Sequence, residues 1–155
     1  AFYEFGVWMG DSFHYLIDHF PQGYGFDTFE GLPEEWHGLP RGSYASFGEV
    51  PNILGAKFVV GEFRDTLPEF FAEERPMAGL INFDADLYSS TIMALNNAKP
   101  VIDSSTVLVF DEFIVNKNWE HDEFRALGEF CAPNGLRYEV LAVSLFTRQM
   151  ACRLR

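Results

Sequence analysis

The feature that most constrains this chain is a regular alternation of short apolar runs with stretches of helical periodicity. The apolar runs predict β-strands near residues 2–7, 22–27, 57–61, 79–84 and 106–111. The intervening stretches predict helices over 11–20, 66–74, 88–103 and 119–131. Strands that alternate with helices are typical of β-α-β units, in which crossover helices join parallel strands. The sequence therefore predicts an α/β fold with a mainly parallel sheet.

The end of the chain departs from this alternation. After the turn Pro133-Asn134-Gly135, the two β-rich runs 137–143 and 145–154 follow with no room for a helix between them. We expect these two runs to pair antiparallel at one edge of the sheet. The segment 28–56, rich in Gly and Pro, predicts one long irregular loop, and loops of that length are usually functional.

Length and charge limit the classes of partner. A chain of 155 residues predicts a single domain over 1–155. Eleven basic against 23 acidic residues give a formal net charge of −12, which opposes binding to nucleic acid or to an anionic membrane. Such a surface instead attracts a cationic ligand or a divalent metal.

Cysteine usage and hydropathy indicate the compartment. Cys131 and Cys152 are far apart and show no metal-ligand spacing, so neither a disulfide framework nor a zinc cluster is indicated. No apolar run approaches the length of a membrane span, and the first residues lack the order of a signal peptide. These features favour a cytoplasmic protein. The sequence begins directly with a strand, so we expect that N-terminal helices are absent from this chain.

Residues suited to ligand binding follow the predicted strands. The glycines of the turn from Gly6 to Ser12 allow close approach of a ligand, and the next helix offers free N–H groups to a carboxylate. The alternative is a tight turn without a ligand. Asp27 lies about twenty residues further on, where an acidic residue usually binds ribose hydroxyls, or else it caps the following loop. Phe63 is placed to cover an adenine ring or to pack in the core.

Carboxylates end the fourth and fifth predicted strands. Asp84 and Asp86 follow one strand, and Asp111 and Glu112 follow the other. We expect these four groups to converge, where they would repel each other and raise one another's pKa unless a cation neutralised them. Oxygen ligands without His or Cys suit Mg²⁺. The alternative is that Asp84 or Asp111 only caps a helix. His121 lies close enough in sequence to reach a substrate, but an exposed histidine at the start of a helix is the favoured alternative.

These motifs together resemble the class I S-adenosylmethionine-dependent methyltransferases, and most closely the metal-dependent sugar O-methyltransferases typified by macrocin O-methyltransferase. The resemblance rests on four stretches, Glu4-Phe5-Gly6-Val7-Trp8-Met9-Gly10-Asp11-Ser12, Tyr24-Gly25-Phe26-Asp27-Thr28-Phe29-Glu30-Gly31-Leu32-Pro33, Asp84-Ala85-Asp86-Leu87-Tyr88-Ser89-Ser90-Thr91 and Phe110-Asp111-Glu112-Phe113. The second and third stretches are the more specific ones. One departure is Glu112, because the family usually has a second Asp at this position.

The resemblance implies a Rossmann-like seven-stranded sheet of order 3-2-1-4-5-7-6, with strand 7 antiparallel and helices on both faces. It also implies an S-adenosylmethionine site, with the methionine part near Gly6, Trp8 and Ser12. The full set implied for this cofactor is Glu4, Gly6, Trp8, Gly10, Ser12, Asp27, Thr28, Phe63, Arg64 and Asp84. Asp84, Asp111 and Glu112 correspond to the family's Mg²⁺ ligands, and Asp86 corresponds to its catalytic base.

The resulting hypothesis is a Mg²⁺-dependent O-methyltransferase that acts on a hydroxyl of a small molecule, such as a sugar of a natural product. One alternative is a metal-independent methyltransferase in which Asp86 or His121 acts alone. Another is a truncated or degenerate module that binds the cofactor without catalysis. A nicotinamide enzyme is disfavoured because the glycine spacing differs from the dinucleotide pattern. Whether the chain is a monomer or a homodimer stays open.

Overall fold

The computed structural model describes residues 1–115 and 117–155. Its strands are β1 (Phe2–Phe5), β2 (Gly23–Asp27), β3 (Ala56–Val60), β4 (Leu80–Phe83), β5 (Val107–Phe110), β6 (Tyr138–Val143) and β7 (Met150–Leu154). Within the described residues they form one seven-stranded sheet of order β3-β2-β1-β4-β5-β7-β6. Strands β1 to β5 pair in parallel, whereas β7 is antiparallel to both β5 and β6. The predicted fold class and strand order are therefore confirmed.

The helices start or end differently from the predicted ranges. They are α1 (Asp11–Ile17), α2 (Phe63–Phe71), α3 (Tyr88–Ala98) and α4 (Glu123–Cys131), with short 3₁₀ segments at Lys99–Val101 and Trp119–His121. Helix α1 ends before Pro21, since a proline disfavours helical backbone at the residue before it. Pro100 has no N–H to donate, so the end of α3 tightens into a 3₁₀ turn. The predicted helix over 119–131 is a 3₁₀ turn followed by α4.

The last predicted strand is shorter than expected. Residues 145–149 form the connection to β7, and the N–H of Ser144 donates to the carbonyl of Gln149 at 2.9 Å. The Ser144 hydroxyl accepts hydrogen bonds from the N–H of Thr147 at 3.1 Å and from its hydroxyl at 2.6 Å. Such local side-chain bonds compete with strand pairing and close a turn instead. The prediction of a strand over 145–154 was wrong for its first five residues.

The core lies on both faces of the sheet because neighbouring strand residues point to opposite sides. Tyr3 and Phe5 face α2, α3 and α4 and belong to the larger cluster, whereas Phe2 faces α1 and packs on Phe13. Stacked rings from neighbouring strands run through the larger cluster, with centroid distances of 4.7 to 5.5 Å in Phe26–Phe5, Phe5–Phe83 and Phe83–Phe110. This continuous packing fixes the strand ends that carry the polar residues.

The segment from 28 to 55 is a long loop, as predicted, but it has its own packing. Leu32, Trp36 and Leu39 form a small apolar cluster with Leu87 at the start of α3. The N–H of Leu32 donates to the carbonyl of Ser43 at 2.8 Å. The loop is therefore attached to the carboxyl ends of the strands. No helix in the described part of the chain is long and apolar enough to cross a lipid bilayer.

Candidate active site

A cavity of about 690 Å³ opens at the carboxyl ends of the parallel strands. Pockets of roughly 300–1,000 Å³ are typical for small ligands, and this edge of an open α/β sheet is where such ligands bind. The cavity is lined by residues singled out from the sequence, namely Gly6, Trp8, Gly10, Ser12, Asp27, Thr28, Phe63, Arg64, Asp84, Asp86, Asp111 and Glu112. Long-range folding thus brings residues from five strand ends to one site.

The turn from Gly6 to Gly10 forms one wall of the cavity. Gly6 has a φ of +89°, and a Cβ at this position would lie 1.9 Å from the carbonyl oxygen of Asp84. Only glycine therefore fits, for reasons of both space and backbone conformation. The N–H of Gly10 donates to the carbonyl of Val7 at 2.8 Å, which closes the turn. These residues therefore form the tight turn that was predicted as the alternative, and the same turn borders the cavity.

Asp27, at the end of β2, organises this turn. Its Oδ2 accepts the N–H groups of Val7 at 2.7 Å and Trp8 at 2.8 Å, and its Oδ1 accepts the N–H of Phe29 at 2.8 Å. A carboxylate offers about four acceptor positions, so part of this capacity remains for a ligand. Asp27 thus caps the following loop, as the structural alternative supposed, while it also lines the cavity.

Glu4 lies behind the turn rather than on the cavity wall. Its side chain is fully buried, and its Oε1 accepts hydrogen bonds from the hydroxyl of Ser12 and, at 3.2 Å, from the amide of Asn82. Among the described residues, its Oε2 has no hydrogen-bond partner. Burial raises the pKa of Glu4 to about 7, against the effect of these two hydrogen bonds. The structure therefore places Glu4 as a support for the turn, away from direct contact with the cavity.

Phe63, Arg64 and Thr28, which were also assigned to the cofactor, line the same cavity. Phe63 packs edge-on against Phe5 at 5.7 Å, so it borders the core as well as the cavity, and its place over an adenine ring stays a prediction. The guanidinium of Arg64 lies 2.5 Å from the carboxylate of Glu62. The Thr28 hydroxyl donates to the carbonyl of Gly31 at 3.2 Å and shapes the start of the loop.

The acidic residues after β4 and β5 share one strongly negative region. Burial raises the pKa of Asp84 to about 8, with further increases from the charges of Asp111 and Asp86. Burial likewise raises the pKa of Asp86 to about 7, and the charges of Glu112 and Asp111 contribute smaller increases. Asp86 also has a left-handed φ of +58°, a conformation that costs energy in most residues and is frequent at functional sites. Helix α3 has no side-chain cap, so neither acid serves as one.

The donor chemistry of this region fits a divalent cation, but the side chains are engaged with protein groups. Asp111 accepts a hydrogen bond from the amide of Gln149, and an Nη of Arg148 lies 3.3 Å from an Oε of Glu112. In residues 1–115 and 117–155 no three His, Cys, Asp or Glu side chains form a group that could hold a metal ion. Oxygen donors with raised pKa values suit Mg²⁺ in kind. The predicted convergence of all four carboxylates on one point is not seen.

Sequence reasoning missed further polar residues next to these acids. Glu123, at the start of α4, is fully buried and accepts the N–H of Glu112 at 3.1 Å through its Oε2. Burial raises the pKa of Glu123 well above its usual range. The adjacent Asp122 lies 2.7 Å from Nε2 of His37 in the long loop. His121, by contrast, is exposed and is not among the residues that line the cavity.

The sheet order, its antiparallel β7 and the cavity at the strand ends define the fold of the class I S-adenosylmethionine-dependent methyltransferases. Residues 3–113 match the family model described as a methyltransferase domain, and the chain belongs to this methyltransferase family. No curated protein sequence matches the chain.

Solved structures extend this comparison over nearly the whole chain. The calicheamicin methyltransferase CalS11 is 24% identical with a TM-score of 0.75, and the match covers 98% of this chain and 71% of that chain. The O-methyltransferase NovP is 18% identical with a TM-score of 0.72 and coverages of 99% and 71%. An O-methyltransferase from Bacillus cereus, solved in complex with SAH, is 14% identical with a TM-score of 0.59 and coverages of 98% and 73%. At these identities the likeness establishes the fold.

Proposed function

We propose that this methyltransferase transfers a methyl group from S-adenosylmethionine to a hydroxyl of a small molecule, with a sugar as the favoured acceptor. The observation that carries the proposal is the position of Asp86, which lines the same cavity as the Gly6–Gly10 turn. Similarity to NovP, an O-methyltransferase, and to CalS11, whose apo structure is that of a TDP-rhamnose 3'-O-methyltransferase, supports the choice of oxygen and of a sugar.

The turn and the end of β2 supply the residues for the cofactor. Gly6, Gly10 and Ser12 provide a close-packed backbone surface for the methionine part, and Asp27 keeps acceptor capacity for the ribose. When bound, S-adenosylmethionine supplies a methyl group on a positively charged sulfur. The acidic lining of the cavity favours that positive charge over the neutral product.

Asp86 is proposed as the base. The acceptor oxygen forms a bond to the methyl carbon as the carbon–sulfur bond breaks, and the electron pair of that bond returns to sulfur. The hydroxyl proton passes to the Asp86 carboxylate. Burial raises the pKa of Asp86 to about 7, which matches a base that works near neutral pH. Correct alignment of the oxygen with the methyl group supplies most of the acceleration.

A divalent cation, Mg²⁺ in particular, would be held by Asp84, Asp111 and Glu112 after the contacts of Asp111 and Glu112 with Gln149 and Arg148 have rearranged. Its chemistry is the stabilisation of negative charge on the acceptor oxygen. The metal-independent alternative is favoured by those same contacts, because Arg148 already places a positive charge beside Glu112. Activity that survives a strong chelator would identify the metal-independent alternative.

The proposal is tested by binding and by turnover. We expect S-adenosylhomocysteine to bind by calorimetry and TDP-rhamnose or a simpler sugar to accept a methyl group. Asp86→Asn should fold, since asparagine tolerates the left-handed backbone of this position, and should lower kcat by about 10²–10⁴-fold while S-adenosylhomocysteine binding is retained. Binding without any turnover of an acceptor panel would instead indicate a cofactor-binding module. Full activity of Asp86→Asn would remove Asp86 from the mechanism.

A further inference from the structure

We propose that Trp8 and Tyr44 form an aromatic pair that selects ring-shaped acceptors, so that a hydroxyl on a ring is preferred to the same hydroxyl on an open chain. This inference rests on the proposed function and assigns its acceptor specificity to two residues, of which Trp8 was expected from the family resemblance to bind the cofactor. Tyr44 belongs to the long loop and was not indicated by any sequence motif.

The two rings meet inside the cavity. Trp8, on the Gly6–Gly10 turn, and Tyr44, on the long loop, both line it. Their ring centroids are 5.8 Å apart with an interplanar angle of 75°, an edge-to-face contact. Even so, 46% of Trp8 and 47% of Tyr44 remain exposed, unlike the buried rings of the core. Large apolar surface left open inside a cavity indicates a binding surface.

Both residues are held in an unfavourable backbone conformation. Trp8 has a φ of +49° and Tyr44 a φ of +60°. Left-handed backbone is strained in such residues and persists only when surrounding contacts impose it. For Trp8 the contact is the hydrogen bond of its N–H to Asp27 at 2.8 Å. For Tyr44 the neighbouring Ser43 carbonyl accepts the N–H of Leu32 at 2.8 Å. The fold thus holds both rings at the cavity despite the backbone strain at these two residues.

Tyr44 also lies close to the acids at the strand ends. Burial and the charges of Asp86, Glu112 and Asp84 raise the pKa of its hydroxyl, in that order of effect. The hydroxyl therefore stays protonated at neutral pH and remains a hydrogen-bond donor. Tyr44 and Asp86 line the same cavity, so an acceptor that reaches Asp86 binds in a space that the Tyr44 side chain also borders.

This arrangement favours a ring that carries hydroxyl groups. The face of a sugar ring or of an aromatic ring packs against aromatic side chains, whereas an open-chain alcohol gains little from them. Carboxylates accept hydrogen bonds from neighbouring hydroxyls. The shared chemistry is a ring with two adjacent hydroxyls, and sugars and catechols both provide it.

The experiment measures ring preference directly by ligand-observed NMR titration, with and without saturating S-adenosylhomocysteine. The probes are methyl α-rhamnopyranoside and catechol, with ethylene glycol as an open-chain diol. We expect at least one of the two ring compounds to bind about tenfold more tightly than ethylene glycol, and Tyr44→Leu to remove most of that difference. The rhamnoside and catechol arms separate a sugar acceptor from an aromatic one. The Kd of S-adenosylhomocysteine should not change in Tyr44→Leu.

Phe47→Leu is the matched control, because Phe47 lies in the same loop with a φ of +55°, is 89% exposed and does not line the cavity. Tyr44→Asn removes the ring while it relieves the left-handed strain, and serves if Tyr44→Leu does not fold. Equal effects of the Tyr44 and Phe47 variants, or binding of both ring compounds no tighter than ethylene glycol, would overturn the inference. Absence of S-adenosylhomocysteine binding in the wild type would instead contradict the proposed function.

Discussion

At the scale of single residues, the site depends on carboxyl groups that are buried for different purposes. Glu4 accepts hydrogen bonds from the side chains of Ser12 and Asn82. Glu123 accepts a hydrogen bond from the N–H of Glu112. Both carboxyl groups thereby hold their neighbours in place. Each has one oxygen without a hydrogen-bond partner among the described residues. A buried, partly unpaired carboxyl favours its neutral form, so these residues link the stability of the fold to pH.

The linkage of Glu4 gives a prediction with a definite sign. Its pKa rises from 4.5 to about 7 on folding, so between these pH values the folded chain binds more protons than the unfolded chain. The free energy of unfolding therefore falls as pH rises from 4.5 to 7. Glu4→Gln should remove up to about 3 kcal/mol of that decrease, measured by urea unfolding across this range.

Glu69→Gln, on the exposed side of α2, controls for the loss of one negative charge. A Glu4→Gln variant whose stability keeps the full wild-type dependence on pH would show that Glu4 is charged in the folded protein throughout. Asp84, Asp86 and Glu123 change the slope in the same direction, so the wild type should lose stability over the whole interval.

Residue-scale prediction from sequence succeeded where a residue follows a strand directly. Asp27, Asp84, Asp86 and Asp111 all reached the cavity for this reason. Tyr44 and Glu123 carried no such signal. Tyr44 sits in an irregular loop whose path depends on contacts such as Leu32 with Ser43, and Glu123 reaches the site through the packing of α4. Contacts between distant segments cannot be derived from local periodicity.

At the scale of elements, the central strands β1, β4 and β5 were the most predictable part, because each is a short, largely buried apolar run with a neighbouring strand on both sides. Helix ends were less predictable, and prolines explain two of the errors, at Pro21 and Pro100. The first residues of the last predicted strand failed because local bonds around Ser144 form a turn. The strand order followed from the family resemblance and not from periodicity.

A comparison of Gly6, in the turn after β1, with Gly128, in α4, tests whether the turn requires glycine. A Cβ on Gly6 would lie 1.9 Å from the Asp84 carbonyl oxygen, and the φ of +89° strains any other residue. Gly128, exposed in α4, has no atom within 4 Å of an added Cβ. We expect Gly6→Ala to lower stability by at least about 1–3 kcal/mol. Gly128→Ala should raise it by about 1 kcal/mol.

Thermal unfolding monitored by circular dichroism measures both changes. Each variant tests one feature of the structure, Gly6→Ala the rigidity of the turn and Gly128→Ala the packing of α4. If Gly6→Ala unfolds cooperatively with wild-type stability, the turn has another accessible conformation and the wall of the cavity is not rigid. If Gly128→Ala also destabilises, α4 packs more closely against its neighbours than the structure shows.

At the scale of the whole molecule, negative charge is concentrated where the chemistry occurs. The chain carries a formal net charge of −12. Among the described residues that line the cavity, eight are acidic and two are arginines. Such an excess favours positively charged ligands and opposes the compact state through self-repulsion. Salt should therefore stabilise the fold by screening, and a specifically bound cation should do more.

This comparison gives the prediction for magnesium. At equal ionic strength, MgCl₂ should raise the Tm by about 3 °C more than NaCl once the Mg²⁺ concentration is about ten times its Kd. Asp84→Asn should abolish the extra increase while the response to NaCl remains. Equal responses of the wild type to the two salts would leave the carboxylates without a specific metal and support the metal-independent alternative.

The contact between Gly6 and the Asp84 carbonyl also bears on redesign. The turn after β1 and the end of β4 meet at this point of the cavity wall, so a change on one side displaces the other by direct collision. The long loop is the better target for an engineer, because Glu34, Arg41 and Tyr44 enter the cavity from outside the sheet. Libraries confined to those three positions should alter which ligands the cavity admits while the Gly6–Gly10 turn stays intact.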